Sequence, residues 1–470
     1  MALSISDIKF RKPKVVSDTV SNGGVAGSAE VLNGVRHSLF PRVTKTERTN
    51  GVTRYRKQFW SNENALNETA HDVMLWLEHP SNGGDRFYLG ASTQSQVQSE
   101  FISSNPALVG SGFLSPGVSG GATSVSLMME ADDFVFPNGA NLHISNKFLT
   151  AQTISASAVP GDSVVLSGTT WEKITATNDI EYPNGLVVDE NTVMTYHGTA
   201  NEEWAQIAEN LTVDEQIANP SGGVTSPALT SLANITNGVS PFEGYRPVIT
   251  TSASGTPLTA YVSATGVCSG DCSGGQLNME TGAWTTPINW SSYPNAPILA
   301  TYSDIPYTYS GTTVTVALEN PILNAYPATS TIAGACIHQE EVLASFSAGS
   351  VTSSLGTVDP VGGAPATNNL GTVSDTFTVV FTSSTAFTVS GVNSGSLSSG
   401  SVNFAYAPTN SNGHPYFSIP VAFWGGTWAI GDTFVFTTTP AKLPMFLKEI
   451  VPAGTTQEPN NLVVLGWYTE

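Results

Sequence analysis

The stretch FPRVTKTERTNGVTRYRKQFW, residues 40–60, holds six of the seventeen Lys and Arg residues of a 470-residue chain whose formal net charge is -20. From Arg54 to Trp60 the side chains alternate roughly as a strand requires, with Arg54 and Arg56 on one face and Lys57 on the other. Asn50 and Gly51 carry a turn signal, so the segment reads as a strand pair turning at those residues. Val52, Tyr55, Phe59 and Trp60 need a core or an interface, which sets this segment apart from a purely solvated basic arm.

Charge is unevenly placed along the chain. Residues 1–57 carry eleven Lys/Arg against four Asp/Glu, a balance of +7, and the remainder carries six against thirty-three, a balance of -27. Between Arg246 and Lys442 there is no Lys or Arg at all. A general nucleic-acid-binding surface needs clustered cations to displace counterions, so the body of the protein is not built for one, and DNA contact is not expected. A basic segment docked on an acidic neighbour fits these numbers.

Composition points to short strands. Charged residues make up 11% of the chain and hydrophobic residues 40%, with 44 glycines and 28 prolines. That is too apolar for general disorder and too poor in charge for long, ion-paired helices. The expected fold class is mainly β: antiparallel sheets, a C-terminal β-sandwich and little helix. Four intervals are expected: an extended N-terminal arm over 1–35, a β-rich assembly domain over 36–250 that can hold two subdomains, a β-rich middle domain over 251–354, and the sandwich over 355–470.

The local signals vary in strength. HDVMLWLEH, residues 71–79, alternates as a strand, NGG at 82–84 marks a turn, and DRFYLGA, residues 85–91, reads as the returning strand. Asn138 and Gly139 suit another tight turn. One helix is expected, in TANEEWAQIAENLTVDEQIANP, residues 199–220, where Trp204, Ile207 and Leu211 fall on a helical stripe and Thr199 precedes Glu202 and Glu203 as a cap. Residues 355–373 read as a flexible or turn-rich connection. Beyond them the β signal is strongest, and DTFTVVFTS at 375–383 resembles DTFVFTTTP at 432–440.

Catalytic and metal motifs are lacking. There is no phosphate-binding Gly-rich Lys loop, H-E-x-x-H or dinucleotide fingerprint, and no enzyme activity or cofactor is expected. His71 and His79, with Asp72 or Glu78, are a weak metal candidate, since strand ends usually expose such groups. Cys336 and His338 stand two residues apart without an orienting third group. Asp132, Asp133, Asp179, Glu181, Asp189 and Glu190 read as solvated turn acids, because they lack the regular oxygen spacing of a calcium loop. Cys268 and Cys272 form no framework with Cys336; all three are expected to be reduced, with a loop disulfide between the first two as the alternative. The N-terminus has no apolar signal core and no apolar run reaches membrane length, so a soluble product made in a cytoplasm is expected, with no membrane insertion.

ISDIKFRKPKVVSDTVSNGG, NGVRHSLFPRVTKTERTNGVTRYRKQFW, YPATSTIAGACI and PYFSIPVAFWGGTWAIGDTFVFTTTPAKLPMFLKEIVPAGT together resemble large structural proteins encoded among the head and tail genes of tailed bacteriophages. The resemblance spans both ends and carries no catalytic residues. It implies a virion component in a tail, baseplate or neck, assembled in the host bacterial cytoplasm. Its partners would be copies of itself and other virion proteins. The alternatives are a capsid decoration protein and a host-surface or carbohydrate-binding module that uses Tyr416, Trp424 or Trp428. The residues expected at an interface are Arg42, Lys45, Arg48, Arg54, Arg56, Lys57, Trp60, Trp424 and Trp428.

Overall fold

A computed structural model describes residues 3–128 apart from 34, 36, 80, 82, 83, 105 and 107, then residues 141–145. It further describes the strand segments 152–153, 163–166, 169–174, 180–181, 187–188 and 192–197. Residues 202–470 complete the description apart from 209, 236–245, 263–265, 279–280, 305–306, 311–312, 327–331 and 458–462. The chain is mainly β, with multiple antiparallel sheets and little helix. The elements that matter most are α1 (Lys45–Asn50) and ten strands. These are β1 (Ile8–Val15), β2 (Gly23–Glu30), β3 (Val52–Asn62), β4 (Ala70–His79), β5 (Arg86–Ala91), β6 (Asn141–Ser145), β7 (Glu202–Gln206), β8 (Ile332–Val342), β9 (Lys442–Val451) and β10 (Val464–Tyr468).

The strand read from Arg54 to Trp60 is the interior of β3, but its turn is not a hairpin. Residues 45–50 form α1 instead. Thr44 accepts from the Glu47 amide at 3.2 Å while the Glu47 carboxylate accepts from the Thr44 amide at 2.6 Å, a reciprocal cap that satisfies two amides at the helix start. Gly51, at φ +77°, then turns the chain out of the helix into β3, a conformation that favours glycine. The Thr-x-x-Glu spacing outweighed the Asn-Gly signal.

β3 lies inside a six-stranded sheet of order β2, β1, β3, β9, β5 and Leu108–Val109. Its antiparallel ladder with β9 runs from Val52 opposite Val451 to Ser61 opposite Lys442. Residues 1–35, expected as an extended arm, supply β1 and β2, and Phe10 pairs directly with Trp60. β4 and the DRFYLGA segment are both strands, yet they do not pair. β5 joins β9 in the first sheet, whereas β4 joins β8 and β10 in a second, nine-stranded sheet.

That second sheet runs β7, β6, β8, Ser111–Leu114, Ser124–Met128, Thr313–Ala317 and Tyr307–Ser310, with β4 and β10 attached through β8. Its inner face and the first sheet bury one hydrophobic cluster that includes Trp60, Leu75, Leu89, Ile144, Ile337 and Phe446. The helix expected over 199–220 is replaced by β7 and the strand Asn210–Ala218. β7 pairs with β6 from Glu202 opposite Ser145 to Gln206 opposite Asn141, which satisfies its backbone and buries Ala205. Tertiary pairing overrode a helical stripe of three apolar residues.

Two further clusters lie in the sequence between these layers. One draws on residues 217–302 and includes Ile249, Ala260, Trp290 and Tyr302. The other is rich in aromatic side chains and draws on residues 377–436. Here the two similar segments pair with each other, Phe377 opposite Phe436 and Val379 opposite Phe434. Their likeness reflects two neighbouring antiparallel strands facing the same core. The 355–373 connection is turn-rich but anchored: the Asn369 amide nitrogen donates to Asn67 Oδ1 at 2.9 Å and its side chain donates to the Glu68 carbonyl at 3.1 Å. The last segment, 442–470, leaves the aromatic region and enters the two large sheets as β9 and β10. The Asn138–Gly139 turn lies outside the described residues.

Removing residues 1–60 therefore deletes β1, β2 and nearly all of β3, and uncovers one edge of β9. The truncated chain is expected to aggregate and to lose cooperative thermal unfolding. A soluble fragment with the full-length circular dichroism and melting temperature would contradict this topology.

Candidate interaction surface

The nine residues expected at an interface divide by burial. Arg42 and Lys45 are exposed and Arg48 is half-buried. None of these three makes a side-chain ion pair among the described residues. Arg54, Arg56, Lys57 and Trp60 are buried within the chain. The Arg54 guanidinium donates from Nε to Glu449 at 2.6 Å and from Nη1 to the Pro41 carbonyl at 2.9 Å. Arg56 pairs with Asp18 and donates to the Ser17 carbonyl at 3.0 Å. Both guanidinium carbons lie 5.6 Å from the centre of the Phe40 ring, as side chains sharing one strand face can. Trp60 has no measurable exposure and meets Trp467 edge-on at 6.0 Å.

Lys57 points to the other face, into a cage of backbone oxygens. Its ammonium donates to the carbonyls of Gly24 at 2.8 Å, Thr93 at 2.8 Å, Gln96 at 2.9 Å and Gln94 at 3.2 Å. Three protons are thus shared among four acceptors, and a compact cation ties the start of β2 to the loop after β5. Burial pushes this ammonium down to about 7 and the Lys442 ammonium down to about 8, while burial pushes the Glu449 carboxyl up to about 7 against the pull of Arg54. These positions mark a structural polar network: Arg11 also reaches Glu63 through two bonds of 2.7 and 2.6 Å, and Lys442 donates to Ser61 at 2.9 Å.

Trp428 is 3% exposed and stacks on Phe381 at 4.2 Å with an interplanar angle of 5°. Trp424 is half-buried and meets Trp428, Phe381 and Phe434 edge-on. Both rings close the aromatic core of the 377–436 region. Tyr416 is likewise half-buried against that core.

An aromatic cluster with two part-exposed rings lies elsewhere, on the outer face of the second sheet. β7 turns Ala205 inward and Trp204 outward; β6 turns Leu142 and Ile144 inward and His143 outward; β4 turns Leu75 inward and Trp76 outward. The Trp204, Trp76 and His143 rings stand 4.7 to 4.8 Å apart, and Tyr468 of β10 lies 6.3 Å from Trp204. Trp204 is 37% exposed and Tyr468 38%, while Trp76 and His143 are buried beneath them. Trp76 lies over Gly466: a Cβ at that position would come within 2.2 Å of the indole. Among the described residues the indole nitrogen of Trp76 has no hydrogen-bond partner.

Carboxylates flank this face. Glu202 Oε2 is 3.9 Å from His143 Nε2, the Tyr468 hydroxyl donates to Glu470 at 3.1 Å, and Asp72 lies 3.2 Å from His338 Nε2. The bond to Glu470, with Asp72 also nearby, holds the Tyr468 phenol above its ordinary value. Sequence reasoning placed Trp204 on a helix and missed this face. The usable signal was the alternation Glu202, Trp204, Gln206 around an inward Ala205.

The other chemical candidates take structural positions. Cys268, Cys272 and Cys336 are free thiols. Burial pushes the Cys268 thiol up to about 12 and raises those of Cys272 and Cys336, so the thiolate needed for nucleophilic chemistry is disfavoured. Cys336 packs with Met74 and Trp76. His71 stands 3.7 Å from Glu341, and among the described residues no group of three or more His, Cys, Asp or Glu is placed to hold a metal. Glu181 lies in a short strand, while Asp132, Asp133, Asp179, Asp189 and Glu190 lie outside the described residues. No helix among the described residues is long and apolar enough to cross a membrane. No protein-family model, curated protein or solved structure matches the chain.

The buried charges set a pH dependence. Lys57 titrates near 7 when folded and 10.5 when unfolded, so between those values the unfolded chain holds more protons and stability rises with pH; below 7 the burial penalty is fully present. Lys442 acts in the same sense from about 8. For Glu449 the folded chain holds more protons between the ordinary 4.5 and about 7, so its contribution makes stability fall as pH rises through that window. Lys57→Met removes the ammonium shared by four carbonyls, of which Gln96 keeps the Gly24 amide and Thr93 the Ser92 hydroxyl, and is expected to destabilise the fold by about 3 kcal/mol at pH 7. In thermal scans the variant should also lose part of the gain in melting temperature between pH 7 and 10. An unchanged melting temperature and slope would remove the cage from the account.

Proposed function

We propose that the chain is a structural component of a tailed-phage virion, joining neighbouring subunits in the tail, baseplate or neck. The observation that carries this reading is the pair of complementary exposed patches: an acidic aromatic face around Trp204 and Tyr468, and exposed cations at Arg42 and Lys45 without internal ion-pair partners among the described residues. Aromatic residues rimmed by charge are what a repeated protein contact uses. The resemblance of both chain ends to head and tail gene products supports the same reading. In it the protein performs no catalysis, takes no cofactor, contacts no DNA and remains outside the membrane. With Arg54, Arg56 and Lys57 buried, the cationic segment offers fewer groups to phosphate than its sequence suggested.

We further infer that the sandwich expected over 355–470 is confined to residues 345–439, since the strands of 442–470 join the two large sheets. The sheet through Ser345–Thr352, Thr433–Thr439, Asp375–Phe381 and Ala386–Gly391 would be faced by the segments carrying Phe417, Ile419 and Phe423. The second reading of the function is a host-surface glycan module. The exposed Trp204 ring with Tyr468 beside it favours that reading over one through Trp424 and Trp428, since a sugar stacks on an open aromatic face.

Quantitative mass spectrometry of purified particles from the phage that encodes the chain tests the proposal. A fixed copy number per particle, retained after washing in high salt, is expected. Absence from particles would overturn the virion reading, and glycan affinity abolished by Trp204→Ala would then identify the second one.

A further inference from the structure

Trp204 and Tyr468 are large rings left more than a third exposed on a sheet whose opposite face contributes to the shared hydrophobic cluster. They do not stand alone on the surface: Trp76 and His143 support Trp204 from below, Tyr468 lies beside Trp204, and Gly466 gives the Trp76 ring its seat. A supported, rigid aromatic patch loses little conformational freedom on binding. Around it stand Glu202, Glu470 and Asp72, so an incoming group gains most if it carries positive charge and can lie against an aromatic ring.

The chain itself carries such a group. Arg42, Lys45 and Arg48 lie on α1 and the loop before it, at the Val52 end of β3 and therefore on the other sheet. Phe40 is held beneath Arg54 and Arg56, and the Gly454 amide donates to the Arg48 carbonyl at 2.8 Å, so the cations project from a fixed base. Among the described residues no ion pair joins them to the acidic face within one chain. Resting on the assembly reading above, we propose that the Arg42–Arg48 segment of one copy docks on the Trp204–Tyr468 face of a second copy. Because the two patches differ, the contact is heterologous: a docked pair keeps one free patch of each kind, one on each copy, and repetition closes a ring or extends a filament.

Sedimentation of the full-length chain tests this, with circular dichroism as the control for folding. The wild type is expected to self-associate in a concentration-dependent way, with association weakened about tenfold or more as salt rises from about 0.05 M to 0.5 M. Two charge reversals, R42E/K45E/R48E and D72K/E202K/E470K, should each abolish association, and combining them in one chain should restore it. Trp204→Ala with Tyr468→Ala should weaken it at unchanged charge. If the wild type associates and neither reversal changes it, this contact is overturned while the assembly reading stands. A wild type that stays monomeric at every concentration also overturns this contact, while the copy number in particles decides the assembly reading separately.

Discussion

The ladder between β3 and β9 is the constraint on which the rest of the fold depends. It joins Val52–Asn62 to Lys442–Val451 without a break, and Arg54 reaches across it to Glu449, 395 residues away in sequence. β1 and β5 attach to its two outer edges, so the six-stranded sheet cannot form until both ends of the chain have met. β10 repeats the arrangement one layer away by pairing with β4. The excursions that supply residues 217–302 and 377–436 then fold around their own clusters. Such pairing carries a large loop-closure cost and points to slow folding through non-local contacts.

Charge is used inside this ladder in an unusual way for an acidic protein. The cations of β3 are split by strand alternation. Arg54 and Arg56 face Phe40 and their carboxylates, and Lys57 faces a ring of carbonyls. A buried charge without such partners would be strongly destabilising, so each one fixes register, the two arginines against carboxylates and Lys57 against carbonyl dipoles. Half of the basic cluster at residues 40–60 is thereby internal, and the other half remains available at the surface. The strand part of this segment meets Glu449, Asp18 and backbone oxygens within the chain.

Much of the secondary structure was legible in the sequence, and much of its pairing was not. The alternation in Arg54–Trp60 and in HDVMLWLEH correctly marks strands, because period two survives whichever neighbour the strand takes. The hairpin between residues 71 and 91 fails because a turn signal says nothing about which sheet each arm enters. Thr44 and Glu47 announced α1, but the Asn-Gly pair beside them was read first. Trp204 shows the limit most clearly: three apolar residues at helical spacing matched the helix template, while the partner strand that decided the matter lies at residues 141–145. The cage around Lys57 has no local signature, since its acceptors are backbone carbonyls supplied from residues 24 and 93–96.

Native-state amide hydrogen exchange, resolved by residue, tests the central claim that the two chain ends form one cooperative unit. The account predicts that amides of β3 and β9 exchange last and together, with a common opening free energy that falls equally in both strands when Arg54→Met removes the pair with Glu449. Early exchange of β3 while β9 stays protected, or a loss of protection in one strand alone, would contradict it.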